Sequence, residues 1–169
     1  EQRKNPTLTS TYGVGQLILD AARRGCTKII LGLGGSCTND GWCCAAAAAG
    51  VRFYNAAGNF FIPVGGTLRQ ITRIDLSGRS PLLEKLSIIA MCDIDNPLYG
   101  PNGAAYVFAP QKGADGETTE LLDQGLRRLS EKITQNLGIS ISGLPGAGAA
   151  GGMGAGMVSF FGASLKMGI

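Results

Sequence analysis

Apolar positions along the chain fall into two patterns, runs and stripes. Ile29 to Leu33 and Leu86 to Cys92 are runs. The first is short and β-branched, and in the second Ile88, Ile89, Ala90 and Met91 leave little room for a solvent face, so both predict strands buried on both faces. The first breaks into Gly34-Gly35 and then Ser36-Cys37-Thr38-Asn39-Asp40; the second ends in Asp93-Ile94-Asp95-Asn96-Pro97. Leu122, Leu126, Leu129, Ile133 and Leu137 form a stripe at helical spacing, with Arg127, Arg128, Glu131 and Lys132 around the other side. Glu117 to Leu137 therefore reads as a helix stopped by Gly138. A second helix is predicted from a Ser10 or Thr11 cap to about Arg24, with Leu17, Ile18 and Ala21 apolar and Gly25 as the stop. Asn39 and Asp40 are good N-caps for a short helix over Cys43 to Ala49, closed by Gly50.

Between these elements the periodicity changes. Val51 to Tyr54 alternates, 55–59 is a turn and Phe60 to Ile62 returns, which predicts a hairpin. Pro63 to Gly66 reads as loop, Leu68 to Leu76 is open between short helix and strand, and Ser77 to Pro81 is a turn. Near the end, Gly146, Gly148 and Gly151 satisfy G-x-G-x-x-G literally, yet no acidic residue follows Glu131 to meet a ribose, which argues against a dinucleotide site. Gly148, Gly152 and Gly156 recur every four residues and would give a helix a bare face for close packing. A phosphate-facing helix start near Pro145 and Gly146 is compatible with that. Strand, glycine loop and helix in succession predict an α/β fold.

Composition narrows the chemistry. The 169 residues suffice for one good core, and 15 basic against 12 acidic residues leave a net +3, spread too thinly to imply nucleic acid or an anionic membrane. Apolar stretches are interrupted by glycine and too short to span a bilayer, and no signal peptide is expected. With no histidine, ordinary zinc sites and Ser-His or Cys-His catalysis are excluded within these residues. Five cysteines without a CxxC pair read as reduced, mostly buried small apolar residues, which suits a cytoplasmic protein. The polar start at Glu1 to Pro6 and the apolar finish at Ile169 lead us to expect a fragment.

Candidate chemistry lies beyond the two apolar runs, where open α/β sheets bind ligands. Gly34 to Asp40 suggests an anion or phosphate loop, although a strand-to-helix turn needs glycine for backbone reasons alone and no P-loop lysine follows. Trp42, near the first turn of the short helix, would crowd a ligand or wall one side of a pocket. Asp93 and Asp95 stand where a magnesium ion or substrate hydroxyl could be held, but Asp and Asn before proline are also common turn formers. Lys112, between Pro110 and Gly113, could meet a phosphate from a rigid turn; an exposed loop lysine is the commoner case.

Seven stretches together resemble the bacterial glycerate kinases that act on D-glycerate with ATP. They are Thr9-Ser10-Thr11-Tyr12-Gly13-Val14-Gly15, Gly34-Gly35-Ser36-Cys37-Thr38-Asn39-Asp40-Gly41, Ile74-Asp75-Leu76-Ser77-Gly78, Cys92-Asp93-Ile94-Asp95-Asn96-Pro97-Leu98, Gly103-Ala104-Ala105, Phe108-Ala109-Pro110-Gln111-Lys112-Gly113 and Leu144-Pro145-Gly146-Ala147-Gly148-Ala149-Ala150-Gly151-Gly152. The resemblance implies a glycerate-kinase-like α/β fold, with a mixed or largely parallel sheet flanked by helices. It implies that residues 1–169 are a single domain, inserted centrally in a two-domain enzyme whose other domain comes from sequence on both sides. The implied activity is transfer of the γ-phosphoryl group of ATP, with Mg2+, to a hydroxyl of D-glycerate in the cytoplasm. A phosphoryl-transfer site needs donors around the moving phosphate, a metal between phosphates and a group orienting the hydroxyl. The nominations are Gly34, Gly35, Ser36, Thr38, Asn39 and Asp40 with Lys112 as phosphate contacts, and Asp93 and Asp95 as metal or hydroxyl contacts. The family generally continues Asn-Asp-Gly-Gly where this chain has Asn39-Asp40-Gly41-Trp42. Implied partners are D-glycerate, ATP and the second domain, without nucleic acid or membrane, and a homo-oligomer is left open. The isolated stretch is expected to fold and to be nearly or wholly inactive. The alternative is a non-catalytic α/β module binding a phosphorylated or carboxylate metabolite.

Overall fold

The computed structural model describes residues 4–168. Its elements run α1 (Tyr12–Arg23), β1 (Lys28–Gly32), α2 (Cys43–Ala48), β2 (Arg52–Tyr54), β3 (Phe60–Phe61), β4 (Arg73–Asp75), β5 (Ser87–Cys92), α3 (Ala104–Phe108), α4 (Gly116–Leu137), α5 (Ala149–Phe161) and β6 (Ser164–Met167). Short 3-10 turns occupy Gly65–Gln70, Pro81–Lys85 and Pro110–Lys112. Two sheets result. One is parallel, ordered β1-β5-β6; the other is antiparallel, ordered β3-β2-β4, and contains the predicted hairpin. The mixed α/β architecture with a parallel sheet flanked by helices agrees with the sequence. The stretch left open over 68–76 holds both forms, a 3-10 turn to Gln70 and then β4.

Helix α4 is as its stripe predicts. Asp115 accepts the Thr118 amide at 2.8 Å, Leu122, Leu126, Leu129 and Ile133 are buried, and Gly138 ends the helix in the left-handed region. Helix α1 also stops as expected: beyond Arg24, Gly25 has φ +91 and the amides of Gly25 and Cys26 bond back to Ala22 and Ala21. Its buried side differs from the expectation, since Leu17 is 70% exposed while Ile18 and Leu19 are buried. Gly15 explains the rotation, because it lies against the Ala45 backbone where a side chain would collide. That contact turns Gly15, Ile18 and Leu19 inward together.

The parallel sheet has one open face, contrary to the prediction of strands buried on both sides. Along β5 the residues Ile88, Ala90 and Cys92 are buried, but Ile89 and Met91 are half-buried on the other face. On edge strand β1 that face carries Ile30, which is 54% exposed beside Ile89. No described element lies over it. The buried face meets a core of Trp42, Phe53, Leu126, Leu129 and Phe160 that joins both sheets to α4 and α5.

Trp42 neither crowds a ligand nor walls a pocket. It is fully buried, its ring meets Phe161 edge-on at a centroid distance of 5.5 Å, and it sits at φ +70 as the N-cap of α2. Asp40, expected as that cap, acts from two residues upstream by accepting the Trp42 amide at 3.2 Å. The close packing predicted for the late glycines is present: Gly148 lies on the Pro97 carbonyl, Gly152 between Leu126 and Leu98, and Gly156 on Gly41. They do not share one straight helix, because Ala150, Gly151 and Gly152 are all left-handed, at φ +53, +74 and +90. The five cysteines are free; Cys43, Cys44 and Cys92 are buried, and Cys26 and Cys37 are exposed. No helix among the described residues is long and apolar enough to cross a membrane.

Candidate functional site

The parallel neighbours β1 and β5 deliver their chains to the same end of the sheet, and the loop 34–40 leaves β1 there. Gly34 and Gly35 are exposed, Gly35 has φ +61, and nothing stands within 4 Å of a Cβ placed on either. Among the described residues, no amide from Gly34 to Asp40 donates to a protein acceptor. Such N–H groups need water or a ligand. The loop is nevertheless held in place: Thr9 Oγ1 donates to the Cys37 carbonyl at 2.8 Å, and Gly151 presses on the Thr38 carbonyl.

Lys112 comes to this loop from another part of the chain. Pro110 starts the 3-10 turn and Gly113, at φ +98, ends it, which directs the last residue of the turn inward. Lys112 is only 5% exposed, unlike the loop lysine that the sequence favoured. Its Nζ donates to Ser36 Oγ at 3.0 Å and to the Thr38 carbonyl at 2.7 Å. Burial depresses its pKa from 10.5 to about 8, against the opposing pull of Cys37 and Asp40. It forms no ion pair among the described residues.

A cavity of about 650 Å³ opens above this contact, lined by Lys4, Asn5, Thr9, Gly35, Ser36, Cys37, Gln111 and Lys112. A smaller one of about 140 Å³ shares Gly35, Ser36, Gln111 and Lys112 and adds Gly34, Phe108 and Ala150. Gly34 also borders a depression of about 400 Å³ that contains Asp93. Gly34, Gly35, Ser36, Lys112 and Asp93 therefore share one continuous stretch of surface. Asp95 lines a different depression with Cys92, Pro145 and Leu165. The described residues hold no group of three or more His, Cys, Asp or Glu side chains arranged for a metal.

Thr38, Asn39 and Asp40 lie beneath the cavities, not along them. Asp40 Oδ2 accepts from the Thr11 amide and hydroxyl at 2.9 and 2.7 Å, and burial raises its carboxyl above the ordinary 3.8 while those bonds hold it back. Both polar atoms of the Asn39 side chain and the Thr38 hydroxyl are buried without a protein partner among the described residues. Lys4 and Asn5 line the site although sequence reasoning gave them no role there, and Cys37 lines it from within the predicted loop 34–40. Lys4 and Asn5 precede the first periodic element, so no pattern pointed to them. Ala150 gives no sequence signal, because only its left-handed backbone brings it to the smaller cavity.

A model of the glycerate kinase family matches residues 1–169. A glycerate kinase of Bacillus cereus is 48% identical over 168 residues, which are 99% of this chain and 44% of that protein. A glycerate kinase of Halalkalibacterium halodurans is 45% identical over 169 residues, the whole chain and again 44% of the relative, and the glycerate 2-kinase of Escherichia coli is 44% identical over 168 residues. A crystal structure from Salmonella typhimurium LT2, described as a glycerate kinase 2, superposes with a TM-score of 0.95 at 42% identity. It covers 98% of this chain and 44% of the other. The chain thus spans less than half the length of the relatives it matches.

Proposed function

The chain belongs to the glycerate kinase family, and on that premise we propose that it is the central part of a cytoplasmic kinase that moves the γ-phosphoryl group of ATP to a hydroxyl of D-glycerate. The observation that carries this reading is the buried ammonium of Lys112 behind a loop whose amides, Gly34 to Asp40, have no protein acceptor among the described residues. A dense set of N–H donors backed by a cation suits phosphate oxygens, and it is already in position before any ligand arrives.

The donor set fits a nucleotide phosphate. Gly34, Gly35 and Ser36 offer N–H groups from the open side, Lys112 supplies charge from beneath, and Lys4 on the cavity wall adds a second cation. Magnesium needs only one or two carboxylates when phosphate oxygens complete its shell, so Asp93, beside Gly34, would hold it. When bound, magnesium neutralises charge developing between the phosphates. Asp40, through Thr11, and the Thr38 carbonyl, through Lys112, fix the loop from below. Asp95 faces elsewhere, and its part as a hydroxyl contact is a separate element of the proposal.

The test is a coupled assay of ADP release with ATP, magnesium and D-glycerate, run on this chain and on a protein of the relatives' full length containing it. We expect turnover from the longer protein, near-zero turnover from the chain alone, and loss of turnover in Asp93→Ala. Turnover unchanged by Asp93→Ala would remove the metal assignment, and the same result for Asp95→Ala would remove the hydroxyl contact. A folded long protein without activity would leave the second reading, a module that binds a phosphorylated or carboxylate metabolite. That reading is favoured by one observation, that the loop and Lys112 are both complete within these residues.

A further inference from the structure

We propose that Ser36 and Lys112 form a nucleophile and base that can take an acyl group from a small carboxylic ester and pass it to water, an activity distinct from phosphoryl transfer. Lys112 Nζ lies 3.0 Å from Ser36 Oγ, and its bond to the Thr38 carbonyl at 2.7 Å fixes the amine against that hydroxyl. Ser36 lines both adjoining cavities, so a ligand can reach its oxygen while the amine behind it is 5% exposed. The neighbouring amides of Gly35, Ser36 and Cys37 donate to no described protein group, which leaves them free for a developing oxyanion. Nucleophile, base within hydrogen-bond reach and oxyanion donors are the three parts that acyl transfer requires. Serine–lysine pairs carry this chemistry without histidine, and the chain has none.

The step requires Lys112 neutral. Cys37 on the same loop and Asp40 beneath it both favour the protonated form, and Lys4 stands on the cavity wall as a like charge. Burial outweighs the first two and leaves Lys112 titrating near 8, so a useful fraction is unprotonated in mildly alkaline solution. Nζ then takes the hydroxyl proton as Oγ bonds to the ester carbonyl carbon. The tetrahedral oxyanion collapses, the bond from carbon to the alcohol oxygen breaks, and that oxygen receives the proton from Nζ. Water, deprotonated by the same amine, cleaves the acyl-serine and releases the carboxylic acid with Ser36 restored.

The experiment treats the chain with an alkyl fluorophosphonate and maps the adduct by peptide mass spectrometry, in a Cys37→Ala background that removes the exposed thiol. Turnover is followed with 4-nitrophenyl acetate. We expect one adduct, on Ser36, absent in Ser36→Ala, with a labelling rate that rises with pH and levels at or below about pH 8, because removing Cys37 takes away a group that favours protonated Lys112. Lys112→Arg, which keeps the charge and removes the base, should slow labelling about a hundredfold. If Lys112→Arg does not fold, the pH profile of the Cys37→Ala chain and the loss in Ser36→Ala still decide. A folded chain without a Ser36 adduct, or Ser36 labelling at a rate indifferent to pH and to Lys112→Arg, would overturn the proposal. No ATP, magnesium or glycerate enters the labelling, so a failure of the kinase reading leaves this result standing.

Discussion

Asp40 and Thr11, 29 positions apart, are joined twice: the carboxylate accepts the Thr11 amide at 2.9 Å and the Thr11 hydroxyl at 2.7 Å. The same hydroxyl accepts the Ala45 amide at 3.0 Å, so one buried pair ties the start of α1 to α2 and to the end of the loop 34–40. Asp40→Ala would strand two donors on Thr11 and the amide of Trp42. At about 1–3 kcal/mol for each unsatisfied buried group, with partial relaxation, we expect a loss of about 3 kcal/mol in urea unfolding. The variant should also lose a pH dependence. Because burial raises the folded-state pKa of Asp40 above 3.8, the folded chain binds the proton more tightly than the unfolded chain just above that value. This contribution to stability therefore falls as pH climbs through the window, and Asp40→Ala removes that slope.

Lys112 should act in the opposite sense. With its pKa lowered to about 8 from 10.5, the unfolded chain holds a proton between these values that the folded chain releases. Stability attributable to this group rises with pH across that interval, and below it the folded state carries the whole penalty, on the order of 3 kcal/mol. Lys112→Met leaves two acceptors without this donor but removes the buried charge. We expect it to be about 1–2 kcal/mol more stable than the parent at pH 7, with the difference shrinking toward pH 10. A destabilised variant at pH 7 would show that the charge is better compensated than its partners indicate.

Two glycines separate backbone freedom from packing. Gly58, at φ +78, faces open space, so Gly58→Ala should cost only its conformational strain, about 1 kcal/mol. Gly151 has a similar φ of +74 but abuts the Thr38 carbonyl and the Asn39 backbone. Gly151→Ala should cost about 3 kcal/mol or more and shift the Ser36 to Asn39 amide resonances, because the loop must move to make room. Equal losses would mean that the loop yields freely.

At Trp42 two effects compete. Glycine there would relieve the left-handed strain, about 1 kcal/mol, yet empty the space that the indole fills beside Phe161, about 3–5 kcal/mol for an aromatic side chain. Packing wins, and Trp42→Gly should lower stability by about 2–4 kcal/mol. Trp42→Phe keeps an apolar ring and removes the buried Nε1, which has no partner among the described residues, so its cost should stay below about 2 kcal/mol. Guanidinium unfolding of both variants gives the order.

What could be read from the sequence was whatever depends on neighbours in the chain. The α4 stripe, its Gly138 stop and the hairpin around Gly58 follow from local periodicity and turn chemistry. Strand β5 was legible as a strand, but the open face carrying Ile30, Ile89 and Met91 was not, because uniform apolarity looks alike whether or not something covers it. The approach of Lys112 to Ser36 crosses 76 positions, and no spacing rule announces it. Trp42 was misread for a related reason. Its place beside α2 was clear, but the rotation that sends the indole inward is set by Phe161 and by its own left-handed backbone.

The strand order β1-β5-β6 also governs how the chain assembles. Lys28 pairs with Ser87 and Cys92 with Met167, so neither ladder of the parallel sheet closes between sequence neighbours. A growing polypeptide would present β1 long before β5 is made, and β5 long before β6. Pairings this distant raise the loop-closure entropy of the transition state and slow folding. The α4 helix and the hairpin can form early from local contacts, whereas the edge that presents Ser36 and Asp93 is among the last parts to be completed. During that interval the apolar strands are open to self-association, which makes synthesis, and not the finished fold, the stage at which these residues most need protection.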